Sequence, residues 1–240
     1  MFTSKKTGEG AGMTGKEFKL ARRERGWSQF YLATRLGISQ TYVALLEHGK
    51  RPFPPRLARR AVTLLGMSPS ALPLSQRAST DTELTRQLSA LGYPGYAHVP
   101  PARRRNPAEV LLVALRKDNL DARVAEALPW LLLQYGTMSE ACKRWLVEQG
   151  RLRGLTNRLG FTVTLAKQVA ERKGETTSGA YQALVQLEQE LFRSRLVGPD
   201  TFCQSHLSLR QREWMETARP DAARQWNLLT NWKPEDLPYA

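Results

Sequence analysis

The segment that most constrains the fold spans residues 28–47 and reads SQFYLATRLGISQTYVALLE. Its first residue, Ser28, is a type that caps helix N-termini by accepting hydrogen bonds from unpaired backbone N–H groups. Apolar residues then recur at helical spacing, at Leu32, Ala33 and Leu36. Gly37 follows at the place where a helix stop favours a left-handed residue. The pattern predicts a first short helix with one apolar face.

A second short helix is predicted directly after that glycine. Ile38 fills the turn, Ser39 caps the new helix, and Val43 and Leu46 are its buried positions. A link of about three residues forces the two helices to cross steeply, and the small side chain of Ala33 allows close packing. This is a helix-turn-helix pattern, although paired amphipathic helices around a glycine turn also occur in all-α proteins that bind no DNA.

Residues 16–67 resemble the Xre-type, phage repressor/Cro-like helix-turn-helix family. The resemblance rests on LARRERGWSQFYLATRLGISQTYVALLEHGKRP, with its Ser-Gln start, Leu-Ala pair, Gly-Ile-Ser turn and Glu-x-Gly-Lys exit. It implies a five-helix DNA-binding unit whose second motif helix, residues 39–47, enters the major groove. It also implies a transcriptional regulator, most simply a repressor of its own operon.

The resemblance implies that Gln40 and Thr41 read base edges. A glutamine can bond adenine bidentately, and a threonine offers a hydroxyl or a methyl group. Ala44 and Leu45 follow on the same helix face, where Leu45 either contacts a thymine methyl group or packs inward. An exposed threonine near a helix start is also commonly just solvated.

Phosphate contacts and a structural ion pair complete the implied site. Gln29 resembles the position that grips a phosphate at the start of the first motif helix. The other candidate phosphate-binding residues are Ser39, Tyr42, His48, Lys50 and Arg51. For His48, a solvated histidine at a helix end is an equal alternative. Arg22 and Glu47 resemble a family ion pair that ties the opening helix to the recognition helix.

The charge distribution favours a polyanion as the partner. The 240-residue chain carries a formal net charge of +14, and residues 1–78 hold 14 Lys and Arg against 4 Asp and Glu. Such an excess on a small domain is the electrostatic footprint of nucleic-acid binding, with acidic lipid as the competing polyanion.

Other function classes lack supporting residues. The two cysteines, Cys142 and Cys203, lie far apart, and we expect both as free thiols rather than as a disulfide or zinc ligands. No phosphate-binding glycine loop, nucleophile elbow or metal-ligand spacing is present, so neither an enzyme nor a cofactor is predicted. Without an apolar run long enough to span a bilayer or a signal-peptide core, we expect a cytoplasmic protein.

The predicted organisation is all-α with two domains. Residues 1–14 read as a flexible basic tail, 15–73 as the DNA-binding domain, 74–82 as a polar linker, and 83–240 as a helical dimerisation or partner-binding domain. In the first domain a fifth short helix is expected from Ser68 to Leu72. Asn106 and Pro107 open a well-signalled helix in the second domain, and Pro129 is expected to kink or restart another. Further helices are predicted at residues 83–91, 120–135, 139–149, 151–172, 178–197, 208–218 and 220–229.

The second domain points to protein contacts rather than chemistry. Five of the six tryptophans lie there, most of them expected in the core, and the closing QWNLLTNWKPEDLPYA docks either on the domain or on a partner. The stretches ALPWLLLQY and LTNRLGFTVTLA weakly resemble helical domains of antitoxins paired with nucleotidyltransferase-like toxins. The alternative to a plain homodimeric repressor is therefore an antitoxin that binds a toxin and uses DNA binding for autoregulation. The row of Arg103, Arg104 and Arg105 is expected either to meet an anionic partner or to be solvated.

Overall fold

The computed structural model describes residues 12–75, 77–202, 204 and 206–239. Over these residues the chain is helical apart from two short strands, so the all-α prediction is confirmed. The first four helices are α1 (Gly15–Glu24), α2 (Gln29–Leu36), α3 (Gln40–Glu47) and α4 (Pro55–Leu65). A single 3-10 turn, Pro69–Ala71, follows them.

The predicted fifth short helix of the first domain, from Ser68 to Leu72, is present as this 3-10 helix rather than as an α-helix. Ser68 does cap the turn, accepting a hydrogen bond from the N–H of Ser70, but Leu72 is already extended with ψ 150°. Because Pro73 comes next, and a residue before proline is disfavoured in the helical region, the turn cannot propagate.

Helix α1 begins with a reciprocal cap in the segment expected to be a tail. The Thr14 hydroxyl accepts from the N–H of Glu17, and the Thr14 N–H donates to the Glu17 carboxylate at 2.7 Å. Met13 is buried, and the Gly12 carbonyl accepts a hydrogen bond from Ser139. Residues 12–14 thus belong to the packed structure, and the rest of the predicted tail lies outside the described residues.

The first hydrophobic cluster is built from α1 to α4 and the 3-10 turn. Phe18 at its centre meets Phe53 edge to face, with ring centroids 5.1 Å apart. The other buried members are Met13, Leu32, Ala33, Leu36, Val43, Leu46, Leu57, Ala58, Ala61, Val62, Leu65, Ala71 and Leu72. These helices therefore form a compact unit with a core of their own.

The rest of the chain surrounds one long central helix. The helices are α5 (Asp81–Leu91), α6 (Pro107–Leu115), α7 (Ala122–Tyr135), α8 (Glu140–Leu152), α9 (Thr156–Arg172), α10 (Gly179–Phe192), α11 (Leu209–Ala218) and α12 (Asp221–Gln225). Single 3-10 turns occur at Pro94–Tyr96 and Pro234–Asp236. Strands β1 (Asp200–Thr201) and β2 (Leu228–Leu229) pair in parallel. Thirteen of the seventeen residues of α9 are buried, which makes it the centre of the second hydrophobic cluster.

Several predicted helix boundaries are corrected by backbone conformation. The helix expected at 151–172 is broken by Gly154, whose φ of +68° is left-handed. Leu152 consequently ends α8 and is 65% exposed instead of joining the apolar stripe of α9. Pro129 lies inside α7 without ending it. The helices predicted at 178–197 and 220–229 stop at Phe192 and Gln225.

The closing segment docks on the domain, which resolves one open alternative. Trp226 is fully buried, and its indole N–H donates to the Thr164 hydroxyl of α9 at 2.7 Å. Gly160 makes room for it, because a Cβ there would overlap the Trp226 ring. Tyr239 meets Tyr93 edge to face at 5.5 Å. The chain end therefore closes the second cluster.

The segment predicted as a linker is held by the side chains of Glu109 in α6 and of Arg105, two residues before α6. Leu74 is buried in the second cluster, and Thr80 caps α5. The buried Arg105 guanidinium donates to Ser79 and to the Arg77 carbonyl, and Glu109 accepts from Ser75. The division into two domains stays a prediction, with two separate hydrophobic clusters in its favour.

Candidate nucleic-acid interface

The turn between α2 and α3 has the geometry that its sequence predicts. Ser28 and Ser39 cap the two helices, each hydroxyl accepting from the backbone N–H three residues on. Gly37 is left-handed, with φ 64°, and its N–H donates to carbonyl groups of the last turn of α2. Leu32, Ala33 and Leu36 face Val43 and Leu46 in the first cluster, so the opposite face of α3 is left to solvent.

A buried ion pair fixes α3 against α1. Arg22 binds both carboxylate oxygens of Glu47, with Nε to Oε1 at 2.6 Å and Nη2 to Oε2 at 3.1 Å. Its remaining Nη1 donates to the Trp27 carbonyl at 2.6 Å. The Glu47 side chain is completely buried, and that of Arg22 is 9% exposed. A bidentate pair with satisfied donors holds two helices in one orientation.

Glu47 is held as a carboxylate by these neighbours. Burial on its own raises the pKa of this carboxyl group, yet hydrogen bonds from Arg22 and Gln29, with the charges of Arg22 and Lys19, bring it below its ordinary value. The charged form is therefore the stable one in the folded protein.

Gln29 participates in this cluster. Its amide nitrogen donates to Oε2 of Glu47 at 2.8 Å. The side chain predicted to grip a phosphate thus also ties the start of α2 to the end of α3. Its contact with phosphate remains a prediction, now with a defined support behind it.

The predicted base-reading residues share one face of α3. Gln40 and Thr41 in the first turn are exposed, and Ala44 and Leu45 one turn later are half-buried. The spacing i, i+1, i+4, i+5 places all four on one side of a helix. Such a strip of short side chains at a helix N-terminus can approach base edges closely.

The predicted phosphate-binding residues fall into two groups. The Ser39 hydroxyl is the cap of α3, and Tyr42 packs against the first cluster. His48, Lys50 and Arg51 at the other end are exposed. His48 Nδ1 lies 2.7 Å from the Ala44 carbonyl, so one ring nitrogen is used at the helix end. Their contacts with DNA stay predictions.

Three exposed apolar side chains were missed by the sequence analysis. Phe30 is 69% exposed and Tyr31 45% exposed, both at the start of α2, and Leu20 of α1 is 58% exposed. The first domain therefore carries exposed apolar surface of its own. The exposure of Phe30 and Tyr31 could have been predicted from their positions, because residues 30 and 31 fall outside the helical stripe of Leu32, Ala33 and Leu36.

The arginine row separates into different roles. Arg105 is buried and pairs with Glu109 on α6, so the expectation of a solvated or partner-binding side chain is wrong for it. Arg103 and Arg104 are exposed. Of the cysteines, Cys142 is a free buried thiol, and Cys203 lies outside the described residues. No group of His, Cys, Asp or Glu in the described part of the chain could hold a metal ion.

A comparison with protein families identifies the first part of the chain. Residues 15–74 match the family described as helix-turn-helix domain. These residues therefore form a helix-turn-helix domain, consistent with the Xre-type resemblance, and such a domain indicates a DNA-binding regulator. No curated protein and no solved structure matches the chain. Among the described residues, no helix is long and apolar enough to cross a membrane.

Proposed function

We propose that the protein is a cytoplasmic, sequence-specific transcriptional regulator that represses its own operon by inserting α3 into the major groove. The observation that carries the proposal is the strip formed by exposed Gln40 and Thr41 and half-buried Ala44 and Leu45. The helix that carries it is fixed from its buried side by the Arg22–Glu47 pair. A rigid reading helix lowers the ordering cost of binding, since its side chains are already placed.

Charge supports DNA as the partner. The net charge of +10 on residues 1–78 provides affinity through phosphate contacts, and the exposed Lys50 and Arg51 stand at the exit of α3. Phosphate contacts position a protein, whereas base contacts give specificity, so two separate groups of residues are required. The α3 strip and its basic exit supply them.

Selection from a pool of random DNA duplexes tests this proposal. The purified full chain should enrich one sequence motif, and its affinity for that motif should fall steeply as salt rises. Enrichment of no motif, with weak binding to all duplexes alike, would point to a non-specific polyanion binder instead.

We also propose that the protein acts as a homodimer through the region after residue 190. Val197 is 91% exposed, Leu209 80% and Trp214 55%, all after the end of α10. Exposed tryptophan and leucine are costly on a monomer and typical of protein interfaces. One helix-turn-helix unit covers a half-site, so a second copy gives the useful affinity.

The second candidate function is that of an antitoxin, favoured by the same exposed side chains. In that case they bind a toxin, and DNA binding serves autoregulation. Purification of the native complex separates the two, because a second polypeptide in stoichiometric amount supports the antitoxin, and a pure dimer supports the plain repressor.

A further inference from the structure

A cleft of about 660 Å³ lies between the helix-turn-helix domain and the loop that precedes α6. Five arginines line it: Arg35 from α2, Arg59 and Arg60 from α4, and Arg103 and Arg104 from the loop. A neighbouring cleft of about 430 Å³ shares Arg59 and Arg103 and adds Arg56, Arg77 and the ion pair of Arg105 with Glu83. None of the residues discussed above for base or phosphate contacts lines either cleft.

The five arginines lack acidic partners. Other arginines of the chain do form ion pairs: Arg22, Arg105 and Arg158 are each hydrogen-bonded to a carboxylate. Among the described residues, none of the five guanidinium groups of the cleft forms an ion pair. Uncompensated like charges facing one another destabilise the folded chain unless an anion binds between them.

The pKa of Arg59 is lowered by burial and by this crowding of positive charges. Burial lowers the pKa of its guanidinium group, and the charges of Arg103, Arg77 and Arg105 lower it further, against an opposing effect from Glu109. Its Nη1 reaches only a carbonyl oxygen, that of Arg104, at 3.4 Å. The guanidinium therefore remains available for an anion.

The loop that carries Arg103 and Arg104 is fixed in place. The buried Gln87 donates to the Arg103 carbonyl at 2.9 Å and accepts from the Arg105 N–H at 3.1 Å. Arg104 Nε donates to the Ala90 carbonyl at 2.9 Å. Backbone held on both sides of Arg104 makes the cleft a pre-formed site rather than a loose loop.

Apolar side chains form the remaining wall of the cleft. Leu36, Leu64 and Met67 line it beside the arginines. Guanidinium groups match phosphate oxygens, whereas this wall suits a flat ring, and the volume lies in the range of small-molecule sites. We propose that this cleft binds a nucleoside polyphosphate, with its phosphates between α4 and the loop and its base on the apolar wall.

Isothermal titration calorimetry on the full chain tests this, with ATP, GTP and inorganic tripolyphosphate at constant ionic strength. One nucleotide should bind saturably at one site per chain, at least tenfold more tightly than tripolyphosphate, because only the nucleotide uses the apolar wall. Arg59→Gln and Arg103→Gln should each weaken it at least tenfold. Arg210→Gln, which removes an exposed arginine of α11, should leave the Kd unchanged.

Three results would overturn the proposal. The first is no saturable nucleotide binding, and the second is equal weakening in Arg210→Gln, which would indicate general attraction of anions. The third is tripolyphosphate binding as tightly as the nucleotides. Loss of duplex DNA affinity in Arg59→Gln and Arg103→Gln, without nucleotide binding by the parent, would assign the cleft to DNA phosphates. Because Arg103 is exposed, its variant keeps the fold, and matching melting curves establish this.

Discussion

At the scale of single residues, two buried arginines hold distant segments of the chain together. Arg22 with Glu47 and Arg158 with Asp200 each join segments distant in the sequence through two hydrogen bonds. A buried pair adds little net stability over an apolar pair, but removal of one partner leaves a buried charge uncompensated. In this protein the two pairs fix the relative orientation of the segments that they join.

Arg22→Ala and Glu47→Ala should therefore each lower the free energy of unfolding by about 3–5 kcal/mol, which urea denaturation measures. Base preference should change less, because both side chains are buried. The matched control is Glu235→Ala, which breaks the exposed Arg172–Glu235 pair and should cost at most about 1 kcal/mol. A variant of the buried pair that melts like the parent yet selects a different DNA sequence would give the pair a reading role instead.

The contribution of Glu47 should also depend on pH. Its pKa is lowered on folding, so its contribution is complete above the unfolded value of about 4.3 and is lost as pH falls through the folded value. The stability difference between the parent and Glu47→Ala should shrink below about pH 4.3. Denaturation curves from pH 3 to 7 measure it, and a difference that grows on acidification contradicts the assigned direction.

At the scale of elements, the sequence predicted what local chemistry decides. The caps at Ser28 and Ser39 and the turn at Gly37 follow from side chains a few residues away, and the structure has all three. Thr14 was missed although Thr14 and Glu17 have the spacing of a reciprocal cap, because the glycines and lysines before it read as a tail.

Elements decided by distant contacts were predicted less well. Leu152 fits the helical period of α9, but the left-handed Gly154 separates the two. Leu228 and Leu229 fit a helix and instead pair with a strand nearly thirty residues earlier. Gly160 looks neutral in sequence, and its role depends on Trp226 across the core. Periodicity carries no information on such partners. The cluster of arginines in the cleft could not be predicted from periodicity for the same reason, since α4 and the loop before α6 come together only in the folded chain.

Gly160→Ala should loosen the closing segment. The added methyl group would overlap the Trp226 ring, so α9 and α12 must separate at a cost of about 1–3 kcal/mol. Tryptophan fluorescence should shift as Trp226 gains solvent, and the unfolding free energy should fall. In Gly179→Ala, a Cβ at the start of α10 would make only an ordinary contact at 3.7 Å with Thr137, so that variant should be as stable as the parent. Equal stability of both variants would contradict the packing described.

At the scale of the whole molecule, the first unit carries α3, the proposed reading helix, and the remainder carries most of the core. The two meet through polar groups, with the Asn106 amide donating to the carbonyls of Ser70 and Leu72 at 2.8 Å. In a dimer, the remainders of the two chains are expected to hold the two copies of α3 roughly 34 Å apart on DNA.

The full chain should accordingly be a dimer on a two-fold site, and residues 1–78 alone a weakly binding monomer. Leu209→Glu and Trp214→Glu should shift the full chain to monomers in light scattering, because each places a charge on an apolar interface. Leu20→Glu, at an equally exposed apolar position of α1, should remain dimeric. A full chain that is monomeric and still occupies one undivided site would rule out the proposed role of the second domain.

The most direct test of α3 as the reading element is DNA selection by the parent, Gln40→Ala, Thr41→Ala and Gln189→Ala, the last an exposed glutamine of α10 as control. The parent and Gln189→Ala should enrich the same two-fold motif. Gln40→Ala and Thr41→Ala should each lose about 1–3 kcal/mol at that motif and almost nothing on random DNA, with preference relaxed at particular base pairs. An unchanged motif in both variants would contradict DNA reading by α3.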